Sequence, residues 1–211
     1  MVLSGHHIEY TNLRPDVSDK DIDQLVHTAV ERGYYGICVP PFWVKRAKRE
    51  IGRNNLRLVT VAGYPIGYQM TETKETDIRL AIDRGVDEVD LVMNVSAFKS
   101  EMPWVKIEFA KCAKLAHDNE RILKVILETS LLTQQEIITA TKWAVDAGVD
   151  YIKTSTGFIG EGATVANVKL IKSLIPDSVG IKASGGIKTK EQAEALLIAG
   201  ADKIGTSSLL L

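Results

Sequence analysis

Cysteine is nearly missing: Cys38 and Cys112 are the only two among 211 residues, too few for a disulfide framework. The opening segment, Met1-Val2-Leu3-Ser4-Gly5-His6-His7, lacks a basic stretch followed by an apolar one, so no secretory signal is expected. Reduced thiols in the cytoplasm are the expectation. No apolar run approaches the ~18 residues of a membrane-spanning helix. An excess of charge is missing too. Lys and Arg number 26 against 27 Asp and Glu, a formal net charge of −1. That balance excludes the basic footprint of a nucleic-acid or anionic-membrane partner. Histidine is sparse. His6 and His7 are adjacent, which on a strand sends them to opposite faces. His27 and His117 fall in helical stretches. The four make no metal-ligand cluster.

What is present is ordinary globular composition, 45% hydrophobic and 25% charged. It suits one domain over residues 1–211 with a substantial core. Four segments share a pattern: Arg32-Gly33 to Val39, Arg84-Gly85 to Leu91, Ala147-Gly148 to Thr154, and Ala199-Gly200 to Thr206. Each follows a helix-period stretch, has Gly where a helix needs a left-handed residue after its end, and then turns into a strand. The glycines are 52, 63 and 52 residues apart. That is about twice the ~25–30 residues of one strand-loop-helix unit. Each gap must hold another strand, and Leu58–Gly63, Ile122–Glu128 and Val179–Ala183 fill them. His6–Leu13 is the candidate opening strand. Eight strands alternating with helices predict an α/β fold, a single-domain (β/α)8 TIM barrel. An open doubly wound sheet would want a Gly-rich fingerprint after the first strand, and Asn12-Leu13-Arg14-Pro15-Asp16 is not one.

Two lysines sit where strands should be apolar. Lys153 lies in Tyr151-Ile152-Lys153-Thr154-Ser155-Thr156-Gly157, and Lys182 in Gly180-Ile181-Lys182-Ala183-Ser184-Gly185-Gly186. Lysine is disfavoured in buried strands unless paired. Asp90 sits in Val89-Asp90-Leu91-Val92-Met93-Asn94. Parity places Lys153 and Asp90 in one interior layer, with Lys182 and Lys124 reaching in from odd-numbered strands. Ionisable groups inside a barrel are costly as packing alone, so they are expected near the carboxyl ends of the strands. Two lysines and an acid suggest amine chemistry, because a lysine beside another cation becomes a nucleophile toward carbonyls. The residues leave alternatives open. Lys153 also reads as a structural ion-pair partner, Lys182 as a phosphate-binding point charge, and Asp90 as their counter-ion. Cys38 reads as a small buried hydrophobe rather than a reactive thiol. Ser184-Gly185-Gly186 after strand seven and Gly205-Thr206-Ser207-Ser208 after strand eight have the make-up of an anion site. They read equally as turns and a helix cap.

Several stretches together resemble the deoxyribose-phosphate aldolase family over nearly the full length. They are Tyr10-Thr11-Asn12-Leu13-Arg14-Pro15, Gly63-Tyr64-Pro65-Ile66-Gly67, Glu88 to Asn94, Lys124 to Thr129, Lys153-Thr154-Ser155-Thr156-Gly157-Phe158, Lys182-Ala183-Ser184-Gly185-Gly186 and Ile204 to Ser208. The resemblance implies a lyase: a class I aldolase without metal or organic cofactor, reversibly cleaving 2-deoxy-D-ribose 5-phosphate to D-glyceraldehyde 3-phosphate and acetaldehyde. It makes Lys153 the Schiff-base lysine, Lys182 the lysine that tunes it, and Asp90 the acid that relays protons with a water. Gly157, Gly185, Gly186, Ser207 and Ser208 match the phosphate and substrate site, and Thr11, Cys38, Lys124 and Thr156 join them as expected substrate contacts. A phosphosugar substrate and a homo-oligomer, dimer or tetramer, are implied. The family often has His-Thr-Leu-Leu-Lys-Pro at Tyr10–Pro15 and Gly at Ser96. The sequence stops at Leu209-Leu210-Leu211. The final helix is therefore expected to be cut short; without the C-terminal tyrosine that some relatives carry, either turnover is slower or proton transfer runs through Asp90 and water alone. The competing functions are a phosphosugar isomerase or epimerase, which needs a paired acid and base, and a non-catalytic phosphosugar-binding barrel.

Overall fold

A computed structural model describes residues 2–208. Eight parallel strands close into a barrel in sequence order: β1 (Ile8–Thr11), β2 (Gly36–Cys38), β3 (Arg57–Ala62), β4 (Glu88–Val92), β5 (Ile122–Ile126), β6 (Tyr151–Lys153), β7 (Gly180–Ser184) and β8 (Lys203–Thr206). The outer ring is α1 (Asp19–Glu31), α2 (Val44–Ile51), α3 (Thr71–Asp83), α4 (Val95–Lys99), α5 (Trp104–His117), α6 (Gln134–Asp146), α7 (Val165–Lys172) and α8 (Lys190–Ile198). The (β/α)8 reading holds. The helix expected after β8 falls on residues outside those described.

Local chemistry explains the boundaries. Ser18, Thr133 and Thr189 each open a helix with a reciprocal capping box, which satisfies two otherwise free N–H groups at once. All four repeat glycines have positive φ, 61°, 90°, 81° and 115° along the chain, as a left-handed turn out of a helix requires. The opening strand is shorter than its pattern. Gly5–His7 forms a 3₁₀ turn, in which the His7 ring meets the Ser4 hydroxyl at 3.0 Å, so only Ile8–Thr11 is extended.

Alternation sorts the side chains into two layers. Ile8, Ile37, Leu58, Val89, Leu91, Leu123, Val125, Ile152, Ile181 and Ile204 face the helices and build the main apolar core. Inside the barrel, Cys38, Val59 and Val61 form a small apolar cluster against Leu13 and Tyr64. Beside it, the interior holds a cluster of buried charged side chains.

Candidate active site

Strand pairing fixes which interior side chains meet. Asp90 on β4 is in register with Lys124 on β5, and Lys153 on β6 with Lys182 on β7. Glu9 on β1 is in register with Gly205 on β8. These charged residues and Glu88 are all buried, Lys153 alone retaining a trace of exposure at 3%.

Three carboxylates therefore face three ammonium groups in a water-poor space. Asp90 is the centre. Its Oδ2 accepts from Lys153 Nζ at 2.8 Å and Lys182 Nζ at 2.7 Å, and its Oδ1 from Lys124 Nζ at 3.0 Å. Lys124 also meets Glu88 at 2.5 Å and Glu9 at 3.4 Å. Lys182 has a second carboxylate, Glu9. Among the described residues Lys153 pairs with Asp90 alone, through an oxygen it shares with Lys182. Buried charges persist only when compensated, so the least compensated cation is the one that gives up its proton.

The titration behaviour follows. Burial pushes the Lys153 ammonium below its usual value, and the Lys182 charge adds to that, against the pull of Asp90. Burial also opposes the Lys182 charge, but Asp90 and Glu9 outweigh it and hold Lys182 above its usual value. Burial would raise the Asp90 carboxyl; Lys124, Lys153 and Lys182 together hold it well below the usual range. The opposite signs at Lys153 and Lys182 give one amine poised as a nucleophile beside a permanent cation. Burial pushes the Cys38 thiol up to about 11, so it stays protonated.

Above the cluster, at the carboxyl ends of the strands, lies a cleft of about 600 Å³. Lys153 reaches its floor, and Thr11, Thr156, Gly157, Gly185, Gly186, Ser207 and Ser208 line its walls. Of the residues singled out from sequence, these open on the cleft. Asp90, Lys182, Lys124 and Cys38 do not; they lie fully buried beneath it. Lys124, expected among the substrate contacts, is instead the hub of the ion cluster.

Hydrogen bonds fix the walls. Thr154 Oγ1 donates to the Ser184 carbonyl at 3.0 Å and Ser184 Oγ to the Ser155 carbonyl at 2.6 Å, stitching β6 to β7. Thr156 donates its hydroxyl proton to buried Glu128, and the Tyr64 hydroxyl donates to the Thr156 carbonyl at 2.9 Å. Gly185 and Gly186 have φ of 89° and 73°, open to glycine at little cost. The loop before α7 packs backbone to backbone against them: a side-chain carbon on Gly162 would lie 2.0 Å from the Gly185 oxygen. Thr206 Oγ1 donates to the Ile187 carbonyl at 2.8 Å and accepts from the Ser208 N–H at 3.0 Å, so the loops after β7 and β8 form one wall. Arg14 and Lys188 stand at its rim.

Sequence reasoning missed Glu9, Glu88 and Gly162. Glu88 had a signal, since it lies two residues before Asp90 and shares its face. Among the described residues no cluster of His, Cys, Asp and Glu is placed to hold a metal, and no helix is long and apolar enough to cross a membrane.

Comparison with known proteins gives a consistent picture. The profile of the DeoC/LacD family aldolases matches residues 6–210. A deoxyribose-phosphate aldolase of Brevibacillus brevis is 44% identical over 203 residues, covering 96% of this chain and 91% of its own. Among solved structures, QR15, an aldolase, superimposes with a TM-score of 0.93 at 38% identity, over 98% of this chain and 92% of that one. The tetrameric deoxyribose phosphate aldolase of Aeropyrum pernix gives a TM-score of 0.89 at 30% identity, over 95% and 85%.

Proposed function

This chain belongs to the DeoC/LacD family of aldolases, and from that premise we propose that it cleaves 2-deoxy-D-ribose 5-phosphate reversibly to acetaldehyde and D-glyceraldehyde 3-phosphate through a Schiff base on Lys153. One observation carries the mechanism. Lys153 alone among the cluster lysines reaches the cleft, and it alone has a single, shared carboxylate.

The neutral Lys153 amine attacks the C1 aldehyde of the open-chain sugar. With a proton drawn from solvent, the resulting carbinolamine loses its hydroxyl as water and becomes a protonated imine. That cation takes the place of the lysine's own ammonium, so three carboxylates again face three positive charges and the interior returns to balance. The C3 hydroxyl then gives its proton, through a water, to Asp90. The C2–C3 bond breaks, its electrons move to the iminium nitrogen, and glyceraldehyde 3-phosphate leaves. The remaining enamine takes a proton at carbon, and hydrolysis frees acetaldehyde and Lys153. Lys182 keeps a positive charge beside the amine throughout and lowers the cost of leaving Lys153 unprotonated.

The phosphate is assigned to Gly185, Gly186, Ser207 and Ser208, where glycine backbone and hydroxyl donors face the cleft, with Lys188 supplying positive charge at the rim and Arg14 there paired with Asp16. Thr11, Thr156 and Gly157 complete the substrate contacts. The isomerase or epimerase reading is disfavoured because the titratable group on the cleft floor is an amine rather than a paired acid and base. A binding-only barrel has no use for the unequal pairing of its lysines. A homo-oligomer is supported by the tetrameric Aeropyrum relative, and a cytoplasmic location by two buried free thiols.

The test is borohydride reduction in the presence of acetaldehyde, followed by peptide mapping. Lys153 is expected to carry the adduct and Lys153→Leu to carry none while remaining folded. An adduct on Lys182 would reverse the two roles. Release of glyceraldehyde 3-phosphate from the phosphorylated sugar checks the substrate.

A further inference from the structure

Lys153 and Lys182 are neighbouring rungs of the β6–β7 ladder and reach the same oxygen of Asp90 at nearly equal distances, 2.8 and 2.7 Å. Asp90 alone does not decide which of them keeps a proton. Glu9 breaks the tie. Its carboxylate pairs with Lys182 from the far side, and Lys153 has no such second partner. The contact requires Lys182 to cross over β8. Gly205, in register with Glu9, leaves that passage open, since a side-chain carbon there would lie 2.9 Å from Lys182 Cε. A carboxylate and a glycine on two strands thus serve one ion pair.

We propose that Glu9 is a positioning residue that keeps the shared proton on Lys182 and so leaves Lys153 as the free amine. The inference rests on the reading of Lys153 as the nucleophile. The other charged and titratable groups around Glu9 do not substitute for it. Lys124 on β5 divides itself among three carboxylates, and Asp90 and Glu88 on β4 are two of them. Cys38 on β2 stays a neutral thiol. At the floor of the barrel, Tyr35 bonds Glu88 and Lys203 donates to the His6 carbonyl. Without Glu9, Lys182 retains only Asp90, as Lys153 does, and the proton is divided between them.

The experiment measures the rate of borohydride-trapped adduct with acetaldehyde against pH, with the adduct located by peptide mapping. In the wild type the adduct forms at Lys153 and its rate rises in a single step. In Glu9→Gln the rate at pH 7 falls by at least about twofold, because the two lysines titrate as a coupled pair, and full reactivity returns only in a second, alkaline step. Gly205→Ala, whose methyl group pushes Lys182 from Glu9, gives the same two-step profile. It also carries the test should Glu9→Gln fail to fold. A single step at the wild-type midpoint in the folded variants overturns the proposal. So does an equal loss at every pH, which marks a purely structural role. Absence of a wild-type adduct at Lys153 overturns the nucleophile assignment itself, and this inference with it.

Discussion

Replacing Lys182 with Met removes a charge and keeps most of the side-chain volume, which isolates its electrostatic part. Lys153 and Lys182 lie 2.8 and 2.7 Å from one oxygen, so their nitrogens are at most about 5.5 Å apart, where two unit charges at an effective dielectric of ~20 repel by about 3 kcal/mol. That energy corresponds to about two pH units in the titration of Lys153. The sign is set by the reactive form. Lys153 attacks as the free amine, which exists above its folded pKa, and loss of the neighbouring cation raises that pKa. Asp90, released from Lys182, pairs more fully with Lys153 and acts in the same direction. The midpoint for adduct formation therefore moves alkaline by about two units, and well below it the rate falls about 100-fold. The assay is trapping with acetaldehyde between pH 5 and 10 rather than turnover, because trapping reads the attack of the amine apart from the later proton transfers. Glu9 loses a partner, so stability is expected to drop by several kcal/mol; circular dichroism establishes that the variant is folded. A folded variant with an unmoved midpoint would refute the coupling of the two lysines.

Two further outcomes concern the phosphate wall. Ser208→Asp places a negative charge among the donors and is expected to raise KM for the phosphorylated sugar at least about tenfold, with unphosphorylated deoxyribose nearly unaffected; equal losses for both, in steady-state kinetics, place the phosphate elsewhere. Gly162→Ala strains no backbone angle, yet its methyl group meets the Gly185 carbonyl at 2.0 Å, so the loop after β7 must shift. KM for the phosphorylated substrate should rise while kcat for deoxyribose holds, and a matching fall in both kcat values would count against this wall as the phosphate site.

The barrel was legible because its signals are local and repeated. A glycine after a helix, a short turn and an apolar strand recur at Gly33, Gly85, Gly148 and Gly200, and each does what its position required. Lys153, Lys182 and Asp90 were legible as charges out of place in strands, and parity alone brought them into one interior. Glu9 was not legible. Its partner Lys182 is 173 residues away, and the extended pattern over His6–Leu13 names no partner for a glutamate within it. Gly162 was equally silent, since only the packing of two loops shows that a side chain has no room there.

The charge cluster joins residues separated by 34, 63, 92 and 173 positions along the chain. No fragment of the barrel contains a neutral subset of it that includes Lys182 and its two acids unless both ends of the sequence are present. A chain with β7 in place but β1 undocked would bury an ammonium half compensated, and one with β1 docked early would bury Glu9 alone. Such intermediates are costly, so the interior ions reward only the fully closed ring and penalise partly assembled ones. Chemistry and closure thus depend on the same six side chains. A circularly permuted or split version of this barrel would have to bring Glu9 and Lys182 back together before it could either close or react.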